Sequence, residues 1–163
     1  MKAIFIDGAS LRHMFRLMGM QRFSYKKLCR VLTEEVGVKP VLGKPFYTVP
    51  PAHCMMALDL EEAGFEAVMI QSMGEEDDKL IKKKIMALAA GAISELVLVS
   101  ADGGFAECVL EKAGKGVEVY IVATRLLDPK DHKSMLSYRL LNEQFHFVEL
   151  ARFKDSLGFD PLS

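Results

Sequence analysis

Short aliphatic runs recur along this chain, and most of them stop at a small or acidic residue. Three of them are rich in Val, Ile and Leu: Ala3–Ile6, Leu96–Val99 and Val117–Val122. Such runs have no polar face, which is typical of strands that are buried on both sides in a parallel sheet. Two weaker runs, Pro45–Val49 and Ala67–Ile70, have a similar length. We therefore expect a central sheet built from these strands.

Segments with helical periodicity separate the strands. They cover residues 24–37, 52–64, 75–91 and 103–114. Strands that alternate with helices form a parallel sheet covered on both faces. The predicted fold class is therefore α/β, a three-layer α/β/α sandwich with a mainly parallel central sheet. We expect one domain over residues 1–150 and a C-terminal tail, residues 151–163, that can form a short helix.

Composition excludes several classes of function. The net charge of −1 gives the 163-residue chain no general attraction to nucleic acid, so such a partner requires a local basic patch. No apolar run approaches the roughly 18 residues that a bilayer span requires, and the first one stops too early for a secretory signal. The cysteines, Cys29, Cys54 and Cys108, lack a metal-binding spacing. We expect reduced core thiols in a cytoplasmic protein with no membrane partner.

Two aspartates stand directly after predicted strands. Asp7 follows the first strand in "FIDGAS", and Asp102 follows the strand in "LVLVS". The carboxyl ends of parallel strands meet at one edge of a sheet, where ligands bind in α/β proteins. Asp7 and Asp102 are therefore expected at the same edge, although 95 residues separate them in the sequence.

A third carboxylate is expected from the helix that begins near residue 75. The buried stripe of this helix is predicted to consist of Ile81, Ile85 and Leu88. Counting about 100° per residue places Asp77 about 40° from Ile81 on that face, in the first turn. Asp78 lies about 60° to the other side of Ile81. Either side chain can lean into the crevice, and Asp77 continues the core face better.

Each of these acids also has a purely structural explanation. Asp7 and Asp102 can cap the helices that follow them, and acidic residues in a first helical turn are favoured by the helix dipole. Three carboxylates at one sheet edge, however, repel each other unless a cation lies among them. Oxygen ligands without a nearby His or Cys suit Mg²⁺ or Mn²⁺ and not zinc.

Four segments occur together in an order that is found in a known family. They are "FIDGAS", "GEEDDKLIKKKIMAL", "LVLVSADGGFAECV" and "GKGVEVYIV". Over residues 2–150 the chain resembles the NYN domains, in particular the LabA-like (DUF88) group, whose fold is similar to that of PIN-domain nucleases. The resemblance implies a metal-dependent ribonuclease that hydrolyses RNA at an acidic site holding Mg²⁺ or Mn²⁺.

Carried over residue by residue, the resemblance implies three metal ligands. Asp7 matches the Asp of the family's Asp-Gly-x-Asn start, and Asp77 matches the Asp at the head of the central helix. Asp102 matches the first Asp of the motif Ser-x-Asp-x-Asp-Phe, whose ends are matched by Ser100 and Phe105. The resemblance thus makes Asp7, Asp77 and Asp102 the expected catalytic metal ligands.

Two positions depart from the family pattern. Gly104 replaces the second Asp of Ser-x-Asp-x-Asp-Phe, and Ser10 replaces the Asn of the Asp-Gly-x-Asn start. The loss of one carboxylate weakens a site for two metal ions more than a site for one. Asp78, which we also expect to be catalytic by orienting the attacking water, can replace the missing ligand in part, as can Glu107.

RNA phosphates require positive charge around an acidic centre. The expected substrate-binding residues are Ser10, Ser100, Arg12, Lys79 and Lys83. The i,i+4 spacing of Lys79 and Lys83, like that of Asp78 and Lys82, is also ordinary for a charged helix face that is exposed to solvent. No aromatic platform for bases is recognisable, because the aromatic residues nearest the acids, Phe5, Phe15 and Phe105, are expected in the core.

Other functions stay open or are disfavoured. The missing Asp at Gly104 is compatible with a catalytically weakened NYN domain that binds RNA or a protein partner in a regulatory role. A phosphatase of the haloacid dehalogenase type needs an Asp in place of Ala9, and a dinucleotide-binding domain needs a GxGxxG turn after the first strand. A homodimer is compatible with a domain of this size.

Overall fold

A parallel sheet forms the centre of the protein. The computed structural model describes residues 1–71 and 75–158, with only the backbone described for residues 75–77. The strands of this part of the chain are β1 Lys2–Asp7, β2 Phe46–Val49, β3 Glu66–Met69, β4 Glu95–Val99, β5 Glu118–Ala123 and β6 Phe145–Glu149. Their order across the sheet is β3-β2-β1-β4-β5-β6, and every neighbouring pair is parallel. The predicted α/β class is confirmed.

Helices connect the strands and cover the sheet. They are α1 Gly8–Leu17, α2 Tyr25–Arg30, α3 Ala57–Ala63, α4 Glu75–Met86, α5 Ala106–Gly114 and α6 Lys154–Leu157. Shorter pieces are the 3₁₀ turns Pro51–Met56, Gly103–Phe105, Tyr138–Leu141 and Leu150–Phe153, and the π-helical segment Val31–Glu35. Every residue of β1 and β4 is buried. Because alternate side chains of a strand point to opposite faces, both faces of the sheet are covered.

The order of the strands reverses between β1 and β4. The chain runs outward from β1 to β2 and β3, and then returns to place β4 on the other side of β1. Phe5 accordingly pairs with Phe46 on one side and with Leu98 on the other. At such a reversal the loops after the two central strands diverge and open a crevice at the carboxyl edge. Asp7 ends one of these strands, and Asp102 follows the other.

The expected strands agree with the observed ones to within one residue at each end, and one strand was not predicted. The aliphatic pattern misses β6 because its buried residues, Phe145 and Val148, are interrupted by the exposed His146, as suits a strand at the sheet edge. The helix expected over residues 24–37 does begin at Ser24, whose hydroxyl caps α2, but its second half is π-helical.

The cysteines differ from the expectation of core thiols at one position. Cys54 is exposed, whereas Cys29 and Cys108 are partly buried, and burial raises the pKa of both of these thiols. All three are free.

Within residues 1–71 and 75–158, no helix is long and apolar enough to cross a membrane.

A buried lysine at the amino-terminal edge of the sheet binds the segment that follows α2. Lys2 is fully buried, and its Nζ donates to the carbonyl oxygens of Thr33 (2.8 Å) and Val36 (2.6 Å). Glu95, its register partner on β4, accepts from the backbone N–H of Val38 at 3.0 Å. Burial lowers the pKa of Lys2, and the Glu95 charge partly opposes this shift. The two side chains tie the segment after α2 to the central strands.

The turn from β1 into α1 passes so close to β2 that only glycine fits at its first position. A Cβ on Gly8 would lie 2.0 Å from the carbonyl oxygen of Thr48 and 2.7 Å from the ring of Tyr47. The Gly8 N–H also donates to the hydroxyl of Thr48 at 3.3 Å. This close approach fixes the direction in which the chain leaves Asp7.

We expect Gly8→Ala to destabilise the protein by about 1–3 kcal/mol or more, because a clash with backbone cannot be relieved by a rotamer change. Gly114→Ala is the matched control, since a Cβ at this position at the end of α5 meets nothing within 4 Å. Helix propensity predicts a gain of up to about 1 kcal/mol for the control. Urea unfolding measures both variants, and equal stabilities would contradict the close approach.

We expect Lys2→Met to reduce the free energy of unfolding by about 1–3 kcal/mol, because it leaves the carbonyl oxygens of Thr33 and Val36 without their donor. The control is Lys115→Met, which removes an exposed lysine paired with Glu111 at 3.0 Å on α5. Exposed pairs of this kind contribute at most about 1 kcal/mol. Similar losses in the two variants, measured by urea unfolding, would show that the buried lysine has no special role.

Candidate functional site

Asp7 is a buried carboxylate at the carboxyl end of β1, with a relative exposure of 4%. Its Oδ1 accepts a hydrogen bond from the Ser10 N–H at 3.2 Å and so caps α1. Its Oδ2 accepts from the hydroxyl of Ser100 at 3.1 Å. The cap expected from the sequence is therefore present. Each carboxylate oxygen has a second lone pair, so the cap does not exclude another ligand.

The Ser100 hydroxyl joins the ends of the two central strands. It is fully buried, donates its proton to Asp7 and accepts from the N–H of Asp102 at 3.1 Å. Ser10 makes a second link, because its Oγ accepts from the N–H of Ala101 at 2.9 Å. Together these bonds hold the loop after β4 against the start of α1. Ser100 thus orients both aspartates from inside the protein.

Asp102 and Asp78 form a cluster of three carboxylates with Asp7. Asp102 is exposed, and its Oδ1 accepts from the N–H of Gly104 at 2.9 Å, which caps the turn before α5. Asp78 is partly buried on α4. One oxygen of each carboxylate lies within 4.8 Å of the other two. Three separate elements thus bring negative charge to one point, as the parallel topology predicts for Asp7 and Asp102.

The rotation of α4 explains why Asp78 reaches this cluster. Ile81 and Ile85 of the helix are both fully buried. Counting about 100° per residue, Asp78 lies about 20° from Ile85, so its side chain shares the core-facing side of the helix. Helix phase measured from Ile85 as well as Ile81 therefore favours Asp78. Asp77 also belongs to α4, but its side chain lies outside the described residues.

The acidic cluster lines an open cavity of about 530 Å³. The other lining residues are Ala9, Ser10, His13, Ala101, Gly103, Met135 and Ser137. The Ser137 N–H donates to the carbonyl of Ala101 at 3.0 Å, which fixes this last segment beside the loop after β4. The sequence pattern did not indicate His13. Its position three residues after Ser10, on the same face of α1, is the signal that identifies it.

The donor set fits a hard divalent cation. All three groups are carboxylates, and no His or Cys joins the cluster in the described part of the chain. Oxygen ligands on opposite sides of an ion lie roughly 4 Å apart around Mg²⁺ and roughly 5 Å apart around Ca²⁺. The oxygens of Asp7, Asp78 and Asp102 lie within 4.8 Å of one another, so their spacing is compatible with ligands of one such ion. Because like charges at such distances repel each other, a cation between them stabilises the arrangement.

Gly104 lies directly against the acidic cluster. A Cβ at this position would lie 3.1 Å from Asp78 Oδ2 and 3.3 Å from Asp102 Oδ1. A carboxylate in place of Gly104 would therefore become a fourth member of the cluster. Glu107, the other candidate replacement, is exposed on α5 and does not belong to the cluster of described residues.

The expected basic phosphate-binding residues lie on α1 and α4, and none of them lines the acidic cavity itself. Arg12 is exposed on α1, and its Nη1 donates to Nδ1 of His53 at 3.0 Å. Lys79 and Lys83 are exposed on α4 and line a separate depression next to β3. The aromatic residues expected in the core, Phe5, Phe15 and Phe105, are all buried.

Solved structures include one with the same fold. The crystal structure of a protein of unknown function from Vibrio parahaemolyticus has a TM-score of 0.66 to this chain, with 20% sequence identity. The similarity covers 91% of this chain and 91% of that chain. At this identity the likeness concerns the fold alone. No curated protein matches the chain.

The family is identified by comparison with models of protein families. The model of the NYN domain matches residues 2–151, a range that contains all of the described strands and the three clustered aspartates. The match agrees with the resemblance of the four motifs to this family. The chain therefore belongs to the NYN domain family.

Proposed function

We propose that the protein is a metal-dependent ribonuclease of the LabA-like NYN type, which hydrolyses RNA phosphodiester bonds with Mg²⁺ or Mn²⁺. The observation that carries the proposal is the convergence of Asp7, Asp78 and Asp102 from β1, α4 and the loop after β4. Membership of the NYN family supports nuclease chemistry and nucleic acid as the substrate. The reversal of strand order beside the cluster supports a ligand site at this edge.

The carboxylates have distinct roles in this proposal. Asp7 and Asp102 hold the cation, and the resemblance adds Asp77 as a further ligand. Asp78, whose oxygen lies in the same cluster, either binds the cation or orients the attacking water. A bound divalent cation offsets the negative charge that develops on the phosphate and lowers the pKa of a bound water. Ser100 fixes the orientation of Asp7 through its hydrogen bond.

Basic and hydroxyl groups around the cluster bind the RNA in this proposal. The guanidinium group of Arg12 binds a phosphate, and Lys79 and Lys83 attract the strand from the depression between α4 and β3. The Ser10 hydroxyl accepts from Ala101 and so retains its proton for a phosphate oxygen. Ser100 is fully buried, so its contribution to substrate binding is to position the aspartates.

The second candidate function is a binding module that has lost its catalytic power. Gly104 is the observation that favours it, because the chain lacks the second Asp that the family motif has at this position. Such a module binds RNA or a protein partner without cleaving it. Metal binding and RNA cleavage by the wild type separate the two functions.

Asp102→Asn is expected to abolish Mn²⁺ binding in calorimetry and to reduce cleavage of single-stranded RNA by about 100-fold or more, because a charged ligand is lost. The substitution keeps the cap, since Asn is as good an N-cap as Asp and its carbonyl can still accept from Gly104. The variant therefore isolates the charge of Asp102 from its structural role.

The matched control for this experiment is Glu107→Gln, which neutralises an exposed acid on α5 outside the described cluster. This variant is expected to bind Mn²⁺ and to cleave RNA as the wild type does. If the folded wild type binds no Mn²⁺ and leaves RNA intact, the aspartates are caps, turn residues or remnants of a site, and the binding module is the better explanation.

Gly104→Asp is expected to tighten Mn²⁺ binding and to lower the melting temperature in a chelator, because it adds a fourth negative charge beside Asp78 and Asp102. Gly104→Ala adds the same Cβ without the charge and so controls for crowding. The metal-induced rise in melting temperature should be largest for Gly104→Asp, since tighter binding stabilises the folded state more. Equal rises in both variants and the wild type would contradict a cation at the cluster.

A further inference from the structure

We propose that a second cavity beside the acidic cluster receives one base of the RNA strand, while Arg12 and Arg16 bind the adjoining phosphate. This inference rests on the proposed function and adds a subsite for a neighbouring nucleotide. The sequence shows no aromatic platform, because the rings that line this cavity come from separate segments of the chain.

The cavity lies between α1, the start of α2 and the end of β2, and its volume is about 230 Å³. Typical ligand pockets are larger, roughly 300–1,000 Å³, so this one has room for a single flat ring system. Its aromatic lining consists of Phe15, Phe23, Tyr25 and Tyr47. The ring of Phe23 packs against Phe15 and Tyr25, with centroid distances of 4.1 and 5.0 Å. These three rings therefore form a continuous wall.

Tyr47 brings a polar group without a partner to this cavity. The residue is only 2% exposed, and its ring packs against Phe65. Nothing in the described part of the chain forms a hydrogen bond with its hydroxyl. Burial raises the pKa of Tyr47, so the hydroxyl keeps its proton at neutral pH. Burying a hydroxyl without a partner is costly, and the edge of a base supplies acceptors for it.

Arg12 and Arg16 place two positive charges at the edge of the cavity. They lie one turn apart on α1, and neither forms an ion pair with a described carboxylate. Burial and both guanidinium groups lower the pKa of His53, and its Nδ1 accepts a hydrogen bond from Arg12. Like charges one turn apart repel each other, and a phosphate between them relieves this repulsion.

Helix α1 connects this cavity to the acidic cluster. Ala9 and His13 line both the acidic cavity and a shallow groove that also contains Arg12, Arg16 and His53. The same two arginines and His53 line the aromatic cavity. The three depressions therefore form one path around the first turns of α1. An RNA strand with a phosphate at the cluster can follow this path and place a neighbouring base in the cavity.

The combination of groups favours a nucleotide. Single-stranded RNA is bound by aromatic rings that stack on bases and by basic side chains that contact the backbone. The cavity offers both within one site, together with the hydroxyl of Tyr47 for the base edge. An acidic peptide would satisfy the arginines, but it supplies no flat polar ring for the aromatic wall.

The test measures RNA binding in a chelator, where no metal-dependent cleavage occurs, so the result is independent of catalysis at the acidic cluster. Fluorescence anisotropy compares a short single-stranded RNA with an abasic strand of the same length. The wild type is expected to bind the RNA about tenfold more tightly than the abasic strand, because one stacked base contributes a gain of this size. Free uridine and adenosine monophosphates serve as competitors and are expected to bind more weakly than the RNA.

Tyr25→Ala is expected to bind the two strands equally, because it removes part of the aromatic wall. Tyr138→Ala removes an exposed tyrosine outside the cavity and should keep the tenfold difference. Tyr47→Phe removes only a hydroxyl and is expected to lower RNA affinity about three- to tenfold while the melting temperature stays equal or rises. If the Tyr47 hydroxyl had only a structural role, its loss would lower the melting temperature, so weaker RNA binding at an unchanged or higher melting temperature indicates contact with the RNA.

Equal affinity of the wild type for the two strands would overturn the proposal. A folded Tyr25→Ala variant that keeps the preference for bases would do the same and would point to a protein partner for the cavity. Competition by a free mononucleotide as effective as the RNA strand would also overturn it, because the cavity would then serve free nucleotides. If base preference is present but the wild type binds no metal and cleaves nothing, the base subsite stands and the ribonuclease activity fails.

Discussion

The hydrogen bonds of the buried Ser100 hydroxyl hold the two halves of the site together. The chain winds in opposite directions from β1 and from β4, so the loops after these strands diverge unless something joins them. Ser100 joins them by donating to Asp7 and accepting from Asp102. The close approach at Gly8 fixes the exit from β1, and the Lys2 and Glu95 side chains fix the other end of the same strands. The carboxylates are thus placed by a rigid frame.

The fold also determines where the charged side chains of the site lie. The net charge of −1 hides a local separation of charge, because three carboxylates meet in the cluster while basic side chains line depressions on α1 and α4. Arg12 and Arg16 line the aromatic cavity, and Lys79 and Lys83 line the depression next to β3. In the proposed function, a cation among the acids would neutralise them, and the basic side chains on α1 and α4 would attract a polyanion. The carboxylate cluster and the basic side chains together fit a nuclease better than either feature alone.

The sequence allowed much of the fold to be predicted, because complete burial leaves a clear aliphatic pattern in the central strands. The edge strand β6 has an exposed His146 and leaves no such pattern. The placement of Asp7 and Asp102 followed from parallel topology alone. Whether Asp77 or Asp78 faces the crevice depends on a small rotation of α4, which periodicity does not fix. The aromatic cavity combines rings from several segments, and only tertiary packing brings them together.

A cation at the acidic cluster can be detected in a crystal structure of the wild type grown with Mn²⁺ and measured at a wavelength where manganese scatters anomalously. We expect one anomalous peak at the acidic cluster, about 2.0–2.6 Å from an oxygen of Asp7 and of Asp102, with Asp78 as a direct or water-mediated neighbour. Manganese peaks elsewhere on the protein, with none among these carboxylates, would contradict it.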